Sequence, residues 1–402
     1  AATSIEEALK IDPKLVNAWL MLGNARMTNN SFEPAFVAFR KAIELAPSDP
    51  RGYNLLATAY RFHGQTSDAI QVLRELLKVT PDDRKASAVL ANLLVQNGNY
   101  SEARPILETL SAKQDDSSLA LSLGETYLHL GESEKAMSQF QKLLATDASS
   151  GTLNSVAYSL AEANSSLPDA LKYAEKAVHQ IEEATADGSS RGKASMTELA
   201  ADWDTLGWVH FRRGDLDDAQ RYLAAAWKLW PNPTIGDHLG QAYAAKGDAA
   251  RARHVYLLAL ATFGPGAASA AADLRNKLLS KAGAPNAAAL SSSHAAEELQ
   301  SMRTFSVKHP VDLEKSAEFS VVFTKDSKSP QVTYLNGDHT LEDAATALTA
   351  LKFDFTFPDD GPTYIREDGV LHCSKLRPNC TFVLFPPASR PNQPAPTLPL
   401  TN

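Results

Sequence analysis

VNAWLMLGNARMTNNSFEPAFVAFRKAIELAP, residues 16–47, falls into two amphipathic halves on either side of the polar tetrad TNNS. The first half carries Leu22-Gly23; the second carries Ala35, Phe39 and Ala42 and stops at Pro47. The pattern returns in PRGYNLLATAYRFHGQTSDAIQVLRELLKVTP, residues 50–81. Further on, the Leu-Gly pair reappears as Leu56-Ala57, Leu90-Ala91, Leu123-Gly124, Val156-Ala157, Leu206-Gly207 and Leu239-Gly240, at steps of 34, 34, 33, 33, 50 and 33 residues. Twelve places after each small residue stands an alanine (Ala35, Ala69, Ala103, Ala136, Ala219, Ala252), with Ala170 one place late in the fifth unit. Self-similarity at a period of this length is the mark of stacked repeat units.

Each unit reads as a pair of helices in close contact. A small residue is needed where one helix crosses the other, because a leucine at Gly23 or Gly124 would overpack the crossing at about 1–3 kcal/mol. Pro47, Pro81 and Pro231 close the second helix, since proline cannot continue the i to i−4 ladder. Trp19-x-x-Leu-Gly, Tyr60, Ala69, Phe39 and Pro47 resemble the tetratricopeptide repeat family over residues 1–265. The resemblance implies a mainly α fold, in which seven helix-turn-helix units form a right-handed superhelical solenoid with a concave inner groove. Asp115, Ala148 and Glu182 stand where the terminal proline would be, so the middle units are expected to end less sharply.

Ala1, Ala8 and Pro13 match Ala35, Ala42 and Pro47 at a step of 34, so the chain opens at the second helix of a repeat and reads as part of a longer protein. AATSIEEALK shows no charged and apolar export signal. The long step of 50 contains EEATADGSSRGKAS, expected as a loop. SAAADLRNKLLSKAG places Leu274, Leu278 and Leu279 on one helical stripe, a cap for the stack, which sets the solenoid at residues 1–281. An Ala/Ser-rich linker follows at 282–302.

From about Arg303 the apolar period changes from 3.6 to 2, which predicts a small α+β domain over 303–386 with an antiparallel sheet. Strands are expected around Phe319–Phe323, Val332–Tyr334, Lys352–Phe357, Tyr364–Glu367, Val370–Cys373 and Thr381–Phe385. Asn336-Gly337 reads as a turn, and Leu341, Ala344, Ala345, Leu348 and Leu351 as an amphipathic helix of about three turns. Strand, helix and two strands here are weakly similar to the C-terminal domain of TonB-type proteins, which implies docking by strand addition to a partner's sheet edge. Cys373 and Cys380 flank a turn-like SKLRPN; a disulfide between them would indicate an oxidising compartment, periplasmic or extracellular. Residues 387–402 are proline-rich and read as an extended tail.

Lys+Arg 39 against Asp+Glu 47 gives a net charge of −8, which disfavours nucleic acid as a partner. No run of about 18 apolar residues is present to span a bilayer. P-loop, GxSxG, HExxH and dinucleotide fingerprints are absent. Two cysteines with His372 do not complete a zinc set, and His372 and Cys373, adjacent in a strand, point to opposite faces. No catalytic residue, cofactor or metal is therefore assigned, and the segment reads as non-enzymatic.

In the resembled family, ligand-facing side chains lie at the second, fifth, ninth, twelfth and thirteenth places of each unit. Carried onto this chain, those places give a groove of Asn17, Asn24, Asn54, Arg61, Lys85, Asn92, Glu125, Tyr158, Asp204, Trp208, Phe211, Arg212 and Gln241, with Trp208, Phe211 and Arg212 as its centre. Amide and aromatic side chains suit an extended peptide. A cochaperone-type carboxylate clamp is not expected: Asn24 and Lys85 match it, but Leu20, Leu55 and Val89 replace its other members. The functional expectation is a scaffold that binds a protein or peptide in the groove and docks through its C-terminal module. The alternative is the accessory C-terminal region of a larger exported enzyme, with a transglutaminase-like or peptidase-like domain upstream.

Overall fold

The computed structural model describes residues 2–112, 116–185, 192–263, 272–283, 294–309, 311, 313–325, 329–352, 357–358, 364–375 and 379–385. Its contacts divide the chain into two compact units that part between Ala148 and Ser149.

The first unit opens with α1 (Ala2–Ile11) and continues as four helical hairpins: α2 and α3 (Val16–Thr28, Phe32–Leu45), α4 and α5 (Pro50–Phe62, Thr66–Val79), α6 and α7 (Arg84–Gln96, Tyr100–Ser111), α8 and α9 (Ser117–His129, Ser133–Thr146). Local chemistry sets the ends. Asp49, Asp83 and Asp116 each accept a hydrogen bond from an amide in the first turn of α4, α6 and α8, satisfying donors that a helix N-terminus leaves open. Within the hairpins the chain reverses through left-handed residues at Asn30, Gly64, Gly98 and Gly131. The helix crossings confirm the small-residue reading. A Cβ on Gly23 would lie 2.3 Å from Phe39 Cε1, and one on Gly124 would lie 2.2 Å from Phe140 Cε1, with both rings fully buried.

The second unit holds α10 and α11 (Ser150–Glu162, Leu167–Thr185), α12 and α13 (Gly192–Arg213, Leu216–Leu229), and α14 and α15 (Pro233–Ala245, Ala249–Ala261), then α16 (Ala272–Ala282) and α17 (His294–Ser301). Of the segment expected as a loop, residues 182–185 belong to the end of α11 and 192–195 to the start of α12, and residues 186–191 lie outside the described residues. The expected linker likewise contains a helix: HAAEELQS of α17 holds good helix formers, and His254 Nε2 lies 2.9 Å from its Glu298. In α16 only Leu278 of the predicted stripe is fully buried. Arg253 Nε donates to Ala282 O at 2.9 Å and holds its C-terminus.

The same unit carries a five-stranded antiparallel sheet of β1 (Thr304–Val307), β2 (Lys315–Thr324), β3 (Gln331–Gly337), β4 (Tyr364–Cys373) and β5 (Cys380–Leu384), in the order β1-β5-β4-β2-β3. Ala317, Phe319, Val321 and Phe323 share its apolar face with Leu371 and Phe382. Leu341, Ala344 and Leu348 are also buried, the last two on α18 (Ala344–Leu348). This helix is shorter than the three turns expected. Thr349 Oγ1 bonds back to Thr346 O at 2.7 Å, and such β-branched residues hold a helix weakly. The two strands expected at 364–373 form one. Gly369 does not turn the chain; it lets the strand pass over Phe382, whose Cζ would be 2.6 Å from an added Cβ. Cys373 and Cys380 form a disulfide where β4 meets β5. The strand expected at 352–357 and the tail at 387–402 lie outside the described residues or nearly so.

Arg303 ties the sheet to the helices. Its Nη2 is 2.7 Å from Glu367 Oε2 and also donates to Phe385 O, while Nη1 reaches Leu229 O at the end of α13 at 3.4 Å. Burial pushes Glu367 up to about 7, with the guanidinium opposing.

Candidate functional site: a cleft on the first helices of the second unit

A cleft of about 370 Å³ is lined by Tyr158 and Glu162 of α10, Trp208, Phe211 and Arg212 of α12, Thr234, Asp237, His238 and Gln241 of α14, and Leu274 and Lys277 of α16. The spacing of the lining residues on α10, α12 and α14 is that of helix turns, so one face of each first helix supplies the wall. Five groove residues expected from the sequence meet here: Tyr158, Trp208, Phe211, Arg212 and Gln241.

The cleft is built on a stack of rings. The Trp208 indole lies parallel to Phe211 (centroids 4.8 Å, 11° between planes) and to His238 (4.2 Å, 15°). Trp208 is only 5% exposed, so its ring backs the cleft wall. Its Nε1 donates to Glu162 Oε1 at 2.6 Å. Asp204, also expected to face a ligand, is 6% exposed. Its two carboxylate oxygens lie 3.0 and 3.1 Å from His238 Nδ1. A carboxylate only accepts, so Nδ1 carries the proton and donates.

Asp237 is the third acid of the cleft and is 2% exposed. Lys281 Nζ reaches Oδ1 at 2.6 Å, Lys277 Nζ reaches Oδ2 at 2.7 Å, and Gln241 Nε2 donates to Oδ2 at 3.1 Å. Burial lowers the Lys281 ammonium's pKa, and the bond to Asp237 opposes that shift. Tyr256, behind this pair, is pushed up to about 12 by burial and by the Asp237 charge. The cleft therefore spends its carboxylates on internal partners. The Arg212 guanidinium lies 5.7 Å from the Trp208 ring centre and makes no ion pair or hydrogen bond among the described residues. Phe211 and Arg212 remain partly exposed at the rim.

The remaining groove candidates lie on the first unit. Asn17, Asn24, Asn54, Arg61 and Lys85 are exposed on α2, α4 and α6. Asn92 is half-buried and accepts from Ser122 Oγ at 3.0 Å; Glu125 is half-buried on α8. The lining residues that place-counting missed are Glu162, Thr234, His238, Leu274 and Lys277. His238 falls beside Leu239-Gly240, one place from Asp237, and Lys277 belongs to a helix outside the repeat count. Among the described residues no cluster of His, Cys, Asp and Glu is arranged to hold a metal, and no helix is long and apolar enough to cross a membrane.

Comparison with known proteins agrees with this architecture. Residues 2–115 match the family described as the cytochrome c-type biogenesis protein H TPR domain, and residues 88–151 and 205–268 match the tetratricopeptide repeat. A TPR repeat-containing protein of Pseudomonas aeruginosa is 42% identical over 38 residues, 10% of this chain and only 6% of its own length. A crystal structure of a tetratricopeptide repeat protein from Parabacteroides merdae superposes with a TM-score of 0.52 at 15% identity, covering 66% of this chain and 98% of the other. Yeast Tom70 gives 0.46 at 15% identity, covering 74% and 61%. YrrB, described as a TPR protein with an unusual peptide-binding site, gives 0.38 at 19% identity, covering 45% and 93%. Over residues 2–151 and 205–268 the helical pairs that a Leu-Gly period marked out in the sequence are tetratricopeptide repeats.

Proposed function

We propose that this chain is a non-catalytic interaction scaffold that binds an extended segment of a partner protein in the cleft on α10, α12, α14 and α16. The observation that carries the reading is the cleft's internal economy of charge. Its carboxylates are held by an indole N–H, an imidazole N–H and two ammonium groups, which fixes a polar wall beside the partly exposed Phe211 and Arg212. A wall of aromatic, amide and guanidinium groups suits peptide recognition.

The C-terminal sheet braces α13 through Arg303 and leaves β3 at an edge, where an added strand would continue the sheet. That edge is the second docking surface of this reading. The Cys373–Cys380 disulfide favours an oxidising compartment, periplasmic or extracellular.

Site-specific photocrosslinking tests the reading. A crosslinker at Phe211 or Gln241 should capture one partner through one extended segment, whereas a crosslinker at Lys142, on the exposed side of α9, should not. Equal capture from both places, or capture only through the surface of a folded domain, would remove the cleft from the function.

A further inference from the structure

Among the described residues Arg212 is the cation of the cleft that makes no ion pair or hydrogen bond. Lys277 and Lys281 are committed to Asp237, and Gln241 joins them there. Glu162 is held by the Trp208 indole at 2.6 Å, and Asp204 by His238. The guanidinium itself is held against the Trp208 ring at 5.7 Å. A cation held over an aromatic ring in this way keeps its planar N–H donors for a further partner, and those donors match a carboxylate in bidentate fashion. Phe211, the preceding residue, presents a partly exposed ring beside it, parallel to Trp208 and therefore fixed in orientation.

Resting on the reading of the cleft as a peptide site, we propose that Arg212 receives the carboxylate of an aspartate or glutamate side chain of the bound segment, with a neighbouring apolar side chain laid on Phe211. Charge decides between this anion and a phosphate. One uncommitted guanidinium balances one negative charge. A phosphorylated side chain carries about two and would call on a second cation, and both lysines of the site are held on Asp237 at 2.7 and 2.6 Å, so meeting a phosphate would cost one of those contacts. The site therefore selects a short acidic and apolar pair. This clamp differs from the one excluded on sequence, which would require cations at Leu20 and Val89 in the first unit.

The test uses the full chain and an array of short labelled peptides in which a central leucine or phenylalanine is followed by Glu, Gln, Lys or phosphoserine, read by fluorescence polarisation. Glutamate peptides should bind about tenfold or more tightly than their glutamine counterparts, the range expected for one charge-assisted pair. Arg212→Gln should erase that preference. Arg212→Lys should retain part of it, and Arg213→Gln, outside the cleft lining, should leave it unchanged; circular dichroism checks that each variant is folded. Equal binding of Glu and Gln peptides, or tighter binding of phosphoserine, overturns the carboxylate assignment while leaving the peptide site standing. Binding of none of the peptides overturns both.

Discussion

At five of the seven helix crossings the small residue co-varies with its partner inside this one chain, and that suggests the sign of a double substitution. Sixteen places after the small residue stand Phe39, Phe140 and Tyr256 where it is Gly23, Gly124 and Gly240, but Leu73 and Leu107 where it is Ala57 and Ala91; the sixth unit departs, with Leu223 against Gly207, and the fifth is one place out of register. A Cβ on Gly124 would lie 2.2 Å from Phe140 Cε1, against about 3.5–4.0 Å for a relaxed carbon contact. Phe140 is fully buried and has nowhere to retreat. Gly124→Ala should therefore incur about 1–3 kcal/mol of overpacking, offset by about 1 kcal/mol from the better helix former, for a net loss of up to about 2 kcal/mol. Phe140→Leu alone leaves a void and costs about 1–2 kcal/mol. The double variant recreates the Ala91 and Leu107 pairing, so the two losses should cancel in part, with a coupling of about 1–2 kcal/mol. Because repeats open locally, the readout is native-state hydrogen exchange at the amides of α8 and α9, beside urea melts at constant m. Strict additivity, or a Gly124→Ala variant as stabilising as the Gly151→Ala control, would refute the argument. Gly151→Ala is the control: nothing lies within 4 Å of its added Cβ, so it should be neutral or stabilise slightly.

Burial pushes Asp202, 2% exposed, up from its ordinary 3.8 to about 8, aided by the Glu198 charge. The folded state thus holds a proton that the unfolded chain releases near pH 4, so this group's contribution is complete below about pH 4 and fades as pH rises toward 8. Asp202→Asn should flatten the pH dependence of second-unit stability between those values in chemical denaturation; an unchanged slope would count against it. Cys373 and Cys380 close a loop with a sequence separation of 7, so reduction should cost the sheet about 2–3 kcal/mol while leaving first-unit exchange untouched, as read by exchange with and without reductant. Trp208→Phe keeps the stack but removes the donor to Glu162. The freed carboxylate then competes for Arg212, and acidic peptides should weaken by about tenfold while glutamine peptides change little; equal weakening of both would assign Trp208 a purely structural part.

The hairpins were legible in the sequence because their determinants are local and repeated. Gly124 meets Phe140 within one hairpin, and Asp49, Asp83 and Asp116 cap helices within two or three residues of themselves. What escaped was set by distance or by ambiguity of a single residue. Gly369 looks like a turn in a linear reading, yet the ring that demands a missing Cβ there is Phe382, on the next strand. TFSV of β1 is too short to announce itself, and becomes a strand by pairing Thr304 with Val383 and Val307 with Cys380. The division at Ser149 leaves no compositional mark, because the repeat period runs through it unbroken.

The cleft divides in the same way. Counting places put Tyr158, Trp208, Phe211, Arg212 and Gln241 on the right face, since a helix presents its residues by period alone. Counting could not say which of them a ligand would meet, because that depends on partners from other helices. Trp208 is covered by His238 and fixed by Glu162, and Asp204 is consumed by His238, so the two residues with the strongest chemistry in the sequence are the two withdrawn from solvent. Their withdrawal gives Arg212 its role. Asp204 is held by His238, which stacks on this tryptophan, and Glu162 by the indole N–H itself, so the ring that hides from the ligand also keeps two acids occupied beside the guanidinium that lies against it.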